Sequence, residues 1–365
     1  MKHFPEGNAI VYCEGVFSTP NGKTAHGLVR RTERYNVLSV VDSTNAGKDA
    51  GFLLGEKPAG IPVHADIRES FSHFSVLDNK PTHLVIGLAP DGGRIDNRTK
   101  DDIKEAIKLG LNIDSGLHDF LSEDDEISQM AIENGVDLRD IRKPPPRNRL
   151  HFFSGKIEEV DSLIVAVLGT DSAIGKRTST WLLKDALAKK ACSTEMVGTG
   201  QTAWMQGVRY GIILDSLIND FVSGEIEHAV WQAWQETHPD VILIEGQGSL
   251  MNPAYPGGFE ILAAGRPDVI VLQHAPGRKE YDGFPGYTLH PLDKQIQAVQ
   301  LISEKPVVAI TINHEGLDRG NIPSVCDEIS RSLFLPTFDI LLQGADGLAE
   351  VILKKLEQLD RKGIR

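Results

Sequence analysis

The sequence predicts a two-domain α/β protein with mostly parallel, doubly wound sheets. Three observations carry that expectation. Short apolar runs rich in Val and Ile recur along the chain: VLSVV at 37–41, LIVAVL at 163–168, VILI at 241–244, VIVLQ at 269–273 and VVAITI at 307–312. This is the pattern of strands covered on both faces. Segments with helical spacing separate several of them, so strand and helix alternate. Pro144, Pro145 and Pro146 then interrupt the chain, a stiff extended break that neither helix nor sheet accommodates. With 365 residues the chain is long for one core, and the break places the domains at 1–150 and 151–365.

Taken in order, the strand 37–41 runs into Asp42-Ser43-Thr44-Asn45-Ala46-Gly47-Lys48, which reads as a polar loop at a strand end. Short strands are expected at 61–63, 82–88 and 112–115. Thr99 and Asp102 open a helix carrying Ile103, Ala106 and Ile107, and Gly110 ends it. His118 and Asp119 follow in GLHDFL, where a capping or core histidine is the default reading. Beyond the prolines the strand 163–168 leads into Gly169-Thr170-Asp171-Ser172-Ala173-Ile174-Gly175-Lys176-Arg177-Thr178. A helix follows, with Leu182, Leu183, Ala186 and Leu187 on one face.

A strand, a Gly-containing loop with Gly-Lys, then a helix is the context of a phosphate-binding P-loop. Glycine lets backbone N–H groups turn inward around an anion, the new helix presents its positive end, and Lys176 adds a cation. Two features depart from the usual pattern. Five residues rather than four separate Gly169 from Gly175, and Arg177 stands where a Ser or Thr would hold Mg²⁺. The longer loop resembles that of dethiobiotin synthetase and its relatives.

Further along, a strand at 194–197 precedes a second Gly-rich loop, Gly198 to Thr202, expected at the same sheet edge. A helix at 226–234 follows. The strand 241–244 closes with Glu245 before Gly246-Gln247-Gly248-Ser249, an acid placed to serve a P-loop site. A loop with Tyr255 comes next, then the strand 269–273 ending in His274-Ala275-Pro276-Gly277-Arg278. A loop at 283–287 is placed to cover a site. An edge strand is expected at 338–342 and a final helix at 348–359.

Composition excludes several classes. The net charge of −13 argues against nucleic acid and anionic membranes as partners. No run approaches the ~20 apolar residues of a membrane span, and the start lacks the apolar core of a signal peptide. Cys13, Cys192 and Cys326 lie far apart, so reduced thiols and a cytoplasmic setting are expected. The histidines form no ligand-spaced cluster, so no metal is expected. A homodimer or higher homo-oligomer is the default assembly.

Together these segments resemble one P-loop family with a Rossmann-like N-terminal domain, whose named member is a D-glutamate N-acetyltransferase. The resemblance rests on DSTNAGKD (42–49), GLHDFL (116–121), GTDSAIGKRT (169–178), GTGQT (198–202), EGQGSL (245–250) and HAPGR (274–278). It implies a Rossmann-like domain followed by a P-loop domain, and acetyl transfer from acetyl-CoA to the amine of an acidic amino acid. A P-loop holds coenzyme A phosphates without Mg²⁺, and Arg177 would add a phosphate contact. The alternatives are a ligase or carboxylase using ATP with Mg²⁺, and a nucleotide-binding switch. For acetyl transfer the chemistry needs a base, for which Glu245 and His274 are candidates and Asp215 a third. It needs oxyanion donors, from the backbone of Gly198–Gln201 or Gly246–Gly248. It also needs substrate contacts, for which Gly200, Gln201, Thr202, Arg209, Tyr255 and Arg278 are candidates. The cofactor site is 169–178 throughout.

Overall fold

The computed structural model describes residues 5–76 and 79–361. In chain order the strands and helices are β1 (Gly7–Tyr12), α1 (Lys23–Arg30), β2 (Tyr35–Val41), α2 (Ala50–Leu53), β3 (Val63–His64), α3 (Ile67–Ser75), β4 (His83–Ile86), α4 (Asn97–Lys108), β5 (Asn112–Ser115), α5 (Asp125–Asn134) and β6 (Leu138–Asp140). There follow β7 (Leu163–Gly169), α6 (Lys176–Lys189), β8 (Thr194–Gly198), α7 (Gln201–Met205), β9 (Tyr210–Gly211), α8 (Asn219–Thr237), β10 (Val241–Glu245), α9 (Phe259–Gly265) and β11 (Val269–His274). The chain ends with α10 (Leu292–Ser303), β12 (Val307–Ile312), α11 (Ile322–Leu333), β13 (Thr337–Phe338), α12 (Ile340–Gln343) and α13 (Asp346–Arg361).

The chain forms two compact units. One comprises Met1–Pro144 and Gln201–Val208, the other Pro145–Gly200 and Arg209–Arg365. The first holds a parallel sheet of order β3-β2-β1-β4-β5-β6, the Rossmann arrangement. Ile10, Leu84, Ile86 and Ile113 pack one face against Ile103, Ile107 and Ile127 of α4 and α5. Ala9, Val11 and Val85 pack the other against Leu28 of α1.

Residues 201–208 depart from the sequence expectation, which left them in the second domain. Met205 is buried with Ala9, Val11 and Phe17, and the Thr202 hydroxyl lies 3.0 Å from that of Thr24. The Arg34 guanidinium sits 3.6 Å above the Trp204 ring and donates to its carbonyl at 2.7 Å. A short amphipathic segment follows its buried face, and here that face matches the first sheet.

The second unit holds a parallel sheet of order β13-β12-β11-β7-β10-β8-β9. β7 is central and buried along its whole length, which is why its sequence is apolar without alternation. Leu163, Val165 and Val167 face α6 and α13. Ile164, Ala166 and Leu168 face α8, α9 and α10.

Some elements differ from the expectation at their ends. The strand expected at 338–342 covers only Thr337–Phe338, because the Asp339 carboxylate accepts from Leu342 N at 3.0 Å and starts a helical turn there. β1 and β6 have no counterpart in the sequence reading.

Candidate functional site

The turn after β1 in the first unit is the place where a Rossmann fold receives a dinucleotide. Here it is already engaged by the protein. Asp42, fully buried at the end of β2, accepts from Gly15 N and Phe17 N at 3.1 Å each and from Asn45 Nδ2 at 2.9 Å. Burial pushes its pKa up, but hydrogen bonds from Thr44, Asn45 and Phe17 hold it below the usual carboxylate range. Lys48 donates to Asn45 Oδ1 at 3.1 Å. This motif organises its own loop.

In the second unit the chemistry gathers at the C-terminal edge of β7, β10 and β11. The loop from Thr170 to Gly175 turns through left-handed conformations at Ala173 (φ 50°) and Gly175 (φ 99°), and α6 starts at Lys176 without a side-chain cap. Alternating backbone hands and an uncapped helix start are the local geometry from which backbone N–H groups can cradle an anion. Lys176 is buried, and its ammonium donates to the Asp171 carbonyl at 2.7 Å. Burial pulls its pKa down to about 8, with Asp171 and Glu245 opposing the fall.

Asp171 is the hub of this loop. Its fully buried carboxylate accepts from Ser172 N (2.7 Å), Asn252 Nδ2 (2.8 Å), Arg278 Nη1 (2.9 Å) and Asp282 N (2.9 Å). Arg278 also donates to the Ser172 carbonyl and to Glu315, both at 2.9 Å. The guanidinium expected to clamp a substrate carboxylate is thus engaged in holding the cradle. Asp282 comes from the loop before α10, and its carboxylate accepts from Ser172 Oγ at 3.1 Å.

Glu245 ends β10, buried, and accepts from Thr199 N at 3.1 Å. Burial raises its pKa, while Arg177, Thr199 N and Lys176 counter the rise. The next residue must be glycine, because a Cβ at Gly246 would lie 2.4 Å from the Val167 carbonyl and 3.0 Å from Lys176 Cδ. That close approach brings the β10 terminus against the P-loop lysine. Gly246 N donates to Val167 O at 3.0 Å, so it is committed to the sheet rather than to an oxyanion. His274 ends β11, with Nδ1 hydrogen-bonded to Thr170 Oγ1 at 2.9 Å. Burial pulls its pKa down to about 4, so the imidazole is neutral near pH 7.

Other expected residues lie elsewhere. Arg209 and Asp215 flank β9, the edge strand, three positions from β7. Arg209 pairs with Glu236 at 2.6 Å on an exposed surface, and Asp215 is exposed. Gln201 and Thr202 belong to the first unit, while Gly200 stays in the second, where a Cβ on it would come 3.8 Å from Gln247 Oε1. Tyr255 is half exposed, and its carbonyl accepts from Ser249 N at 3.1 Å. Asn252, Asp282 and Asn313 were not expected at the site; Asn313 Nδ2 donates to Ile174 O at 3.1 Å. Among the described residues no group of three or more His, Cys, Asp or Glu is gathered to hold a metal, and no helix is long and apolar enough to cross a membrane.

Two family models match this chain: a P-loop domain of unknown function, DUF1611, over residues 151–349, and its Rossmann-like N-terminal partner over 43–144. The chain belongs to the DUF1611 family. A crystal structure of a DUF1611 member from Anabaena variabilis matches with a TM-score of 0.87 at 26% identity, covering 96% of this chain and 100% of that one. A D-glutamate N-acetyltransferase from a Pseudoalteromonas species is 32% identical over 73% of this chain and 79% of its own length. One from Tritonibacter scottomollicae is 28% identical over 74% and 80%. Within this DUF1611 chain, the match over 151–349 spans every residue of the Lys176–Glu245–His274 cluster.

Proposed function

We propose that this DUF1611 protein is an N-acetyltransferase that moves the acetyl group of acetyl-CoA to the amine of an acidic amino acid, D-glutamate. The observation that carries the reading is a buried Glu245 in the electrostatic field of the buried P-loop Lys176, whose stem packs against Gly246. The names of the two relatives support it. The cradle and Lys176 suit the phosphates of coenzyme A, and Arg177 adds charge where Mg²⁺ chemistry would need a hydroxyl.

Bound acetyl-CoA supplies an activated acyl carbon and a thiolate leaving group. The amino acid arrives as an ammonium, inert until it loses a proton. Glu245, its pKa raised by burial, takes that proton. The amine nitrogen bonds to the acyl carbon, the C–S bond breaks, and the second nitrogen proton leaves with the thiolate as coenzyme A. His274, its pKa lowered by burial and its Nδ1 hydrogen-bonded to Thr170 Oγ1, positions Thr170.

The test is thiol release from acetyl-CoA with D- or L-glutamate. Turnover that persists in EDTA supports the proposal. Turnover that needs Mg-ATP would replace it with the ligase alternative, and none with any acidic amino acid would remove acetyl transfer.

Lys176 gives a separate prediction. Lys176→Ala should weaken coenzyme A binding by about 1.5–3 kcal/mol in calorimetry. An anion selects the charged amine, and free Lys176 loses its proton near pH 8. Wild-type affinity should therefore hold below pH 8 and fall above it, by up to about tenfold per pH unit, whereas Lys176→Arg stays flat. Wild-type affinity that is level from pH 7 to 10 would take Lys176 out of the site.

A further inference from the structure

A small cleft opens beside the P-loop strand, between the turn after β10 and helix α10. Leu168, Leu250, Leu272 and Val299 give its apolar lining, and Gln247, Ser249 and Gln295 its polar edge. All belong to the second unit. The free space is about 20 Å³, room for one group the size of a water or a methyl.

The polar edge is built rather than incidental. Gly248 is left-handed (φ 56°), and a Cβ on it would lie 2.1 Å from the Tyr255 carbonyl. A Cβ on Gly257 would lie 2.5 Å from the Gln247 carbonyl. Two loop segments thus approach as closely as backbones can, and Ser249 N donates to Tyr255 O at 3.1 Å to lock them. The product of this construction is a Ser249 side chain only 3% exposed, whose hydroxyl has no hydrogen-bond partner among the described residues. Native proteins seldom leave a buried hydroxyl unmatched, and this one lines a cleft beside the P-loop strand, four residues after Glu245, where a ligand atom can match it.

We propose that this cleft is the acyl subsite: the acetyl methyl lies on Leu168, Leu272 and Val299, and Ser249 Oγ donates to the acyl carbonyl oxygen. This rests on the acetyltransferase reading. Ser249 forms no covalent bond; its O–H points at an oxygen that gains negative charge as the amine attacks, so the hydrogen bond strengthens in the transition state. The missing donor left by Gly246, whose N–H is committed to the sheet, is thereby supplied. The size of the cleft sets a second consequence. The space that seats one methyl leaves little room on the apolar lining for added methylenes, so acetyl is favoured over propionyl and butyryl.

The experiment uses the full chain with D-glutamate and acetyl-, propionyl- or butyryl-CoA. Wild type should prefer acetyl to propionyl by about 10–200-fold in kcat/KM. Ser249→Ala should lower kcat by about 10²-fold with KM for acetyl-CoA and melting temperature nearly unchanged. A structural role would move the melting temperature instead. Val299→Ala should raise the propionyl-to-acetyl ratio about tenfold. Wild type using butyryl-CoA as fast as acetyl-CoA would overturn the subsite, as would Ser249→Ala keeping kcat within twofold, in which case the cleft holds an ordered water. Absence of acetyl-CoA turnover in wild type would instead overturn the acetyltransferase reading, and the subsite with it.

Discussion

Glu245→Gln is expected to lower kcat by about 10²–10⁴ while leaving the protein folded. The amide oxygen can still accept from Thr199 N, so the carboxylate's hydrogen bond from that backbone survives. What disappears is a group able to take a proton. Its pKa is raised by burial, which brings it toward the working pH where a general base is most effective. The wild-type kcat/KM should rise with pH through that raised value, and the limb should vanish in the variant. Removing a negative charge near Lys176 and Arg177 also favours an anion, so acetyl-CoA should bind equally well or more tightly. The rival role is a counter-ion for those cations. A counter-ion alone predicts tighter cofactor binding with kcat within about tenfold of wild type, and stopped-flow thiol release with calorimetry separates the two.

How far the site was legible in the sequence depends on whether adjacency in the chain matches adjacency in the sheet. The cradle is local, so Gly169 to Thr178 could be read directly. Glu245 and His274 could be read because each ends an apolar strand, and β10 and β11 flank β7. Arg209 and Asp215 follow a Gly-rich loop in the same way, yet their strand is the edge of the sheet. Nothing in a short run such as Tyr210–Gly211 fixes its place in the strand order. Gln201 and Thr202 show a stronger version: a loop motif continuous in sequence leaves one unit for another between Gly200 and Gln201. Asn252 and Asp282 were unreadable for a different reason. They come from irregular loops, where no periodicity ties a side chain to a face, and only the fold brings both to Asp171. Arg278 was legible as a site residue, but its partner was not, because an arginine near a P-loop suits a ligand carboxylate and Asp171 equally.

Asp171→Ala is expected to be the most destabilising single change at the site, by about 3–5 kcal/mol, the scale of a broken buried pair. The fully buried carboxylate takes four donors from four directions: its own loop, the Asn252 loop, the HAPGR turn and the loop before α10. Truncation leaves Asn252 Nδ2 and Asp282 N without that acceptor, each costing about 1–3 kcal/mol if unmatched. Arg278 keeps Glu315 and the Ser172 carbonyl, which limits the loss from its charge. For a unit of this size roughly 2–4 °C accompanies each kcal/mol, so the melting temperature should fall by about 6–20 °C in calorimetry without ligand. Asp171→Asn retains acceptance through one oxygen but turns an amide toward donors, so it should fall between wild type and Ala. The same carboxylate sets the shape of the cradle, so coenzyme A affinity of either variant should drop even well below its melting temperature. A melting temperature for Asp171→Ala within 2 °C of wild type would mean that the four segments hold the loop without it.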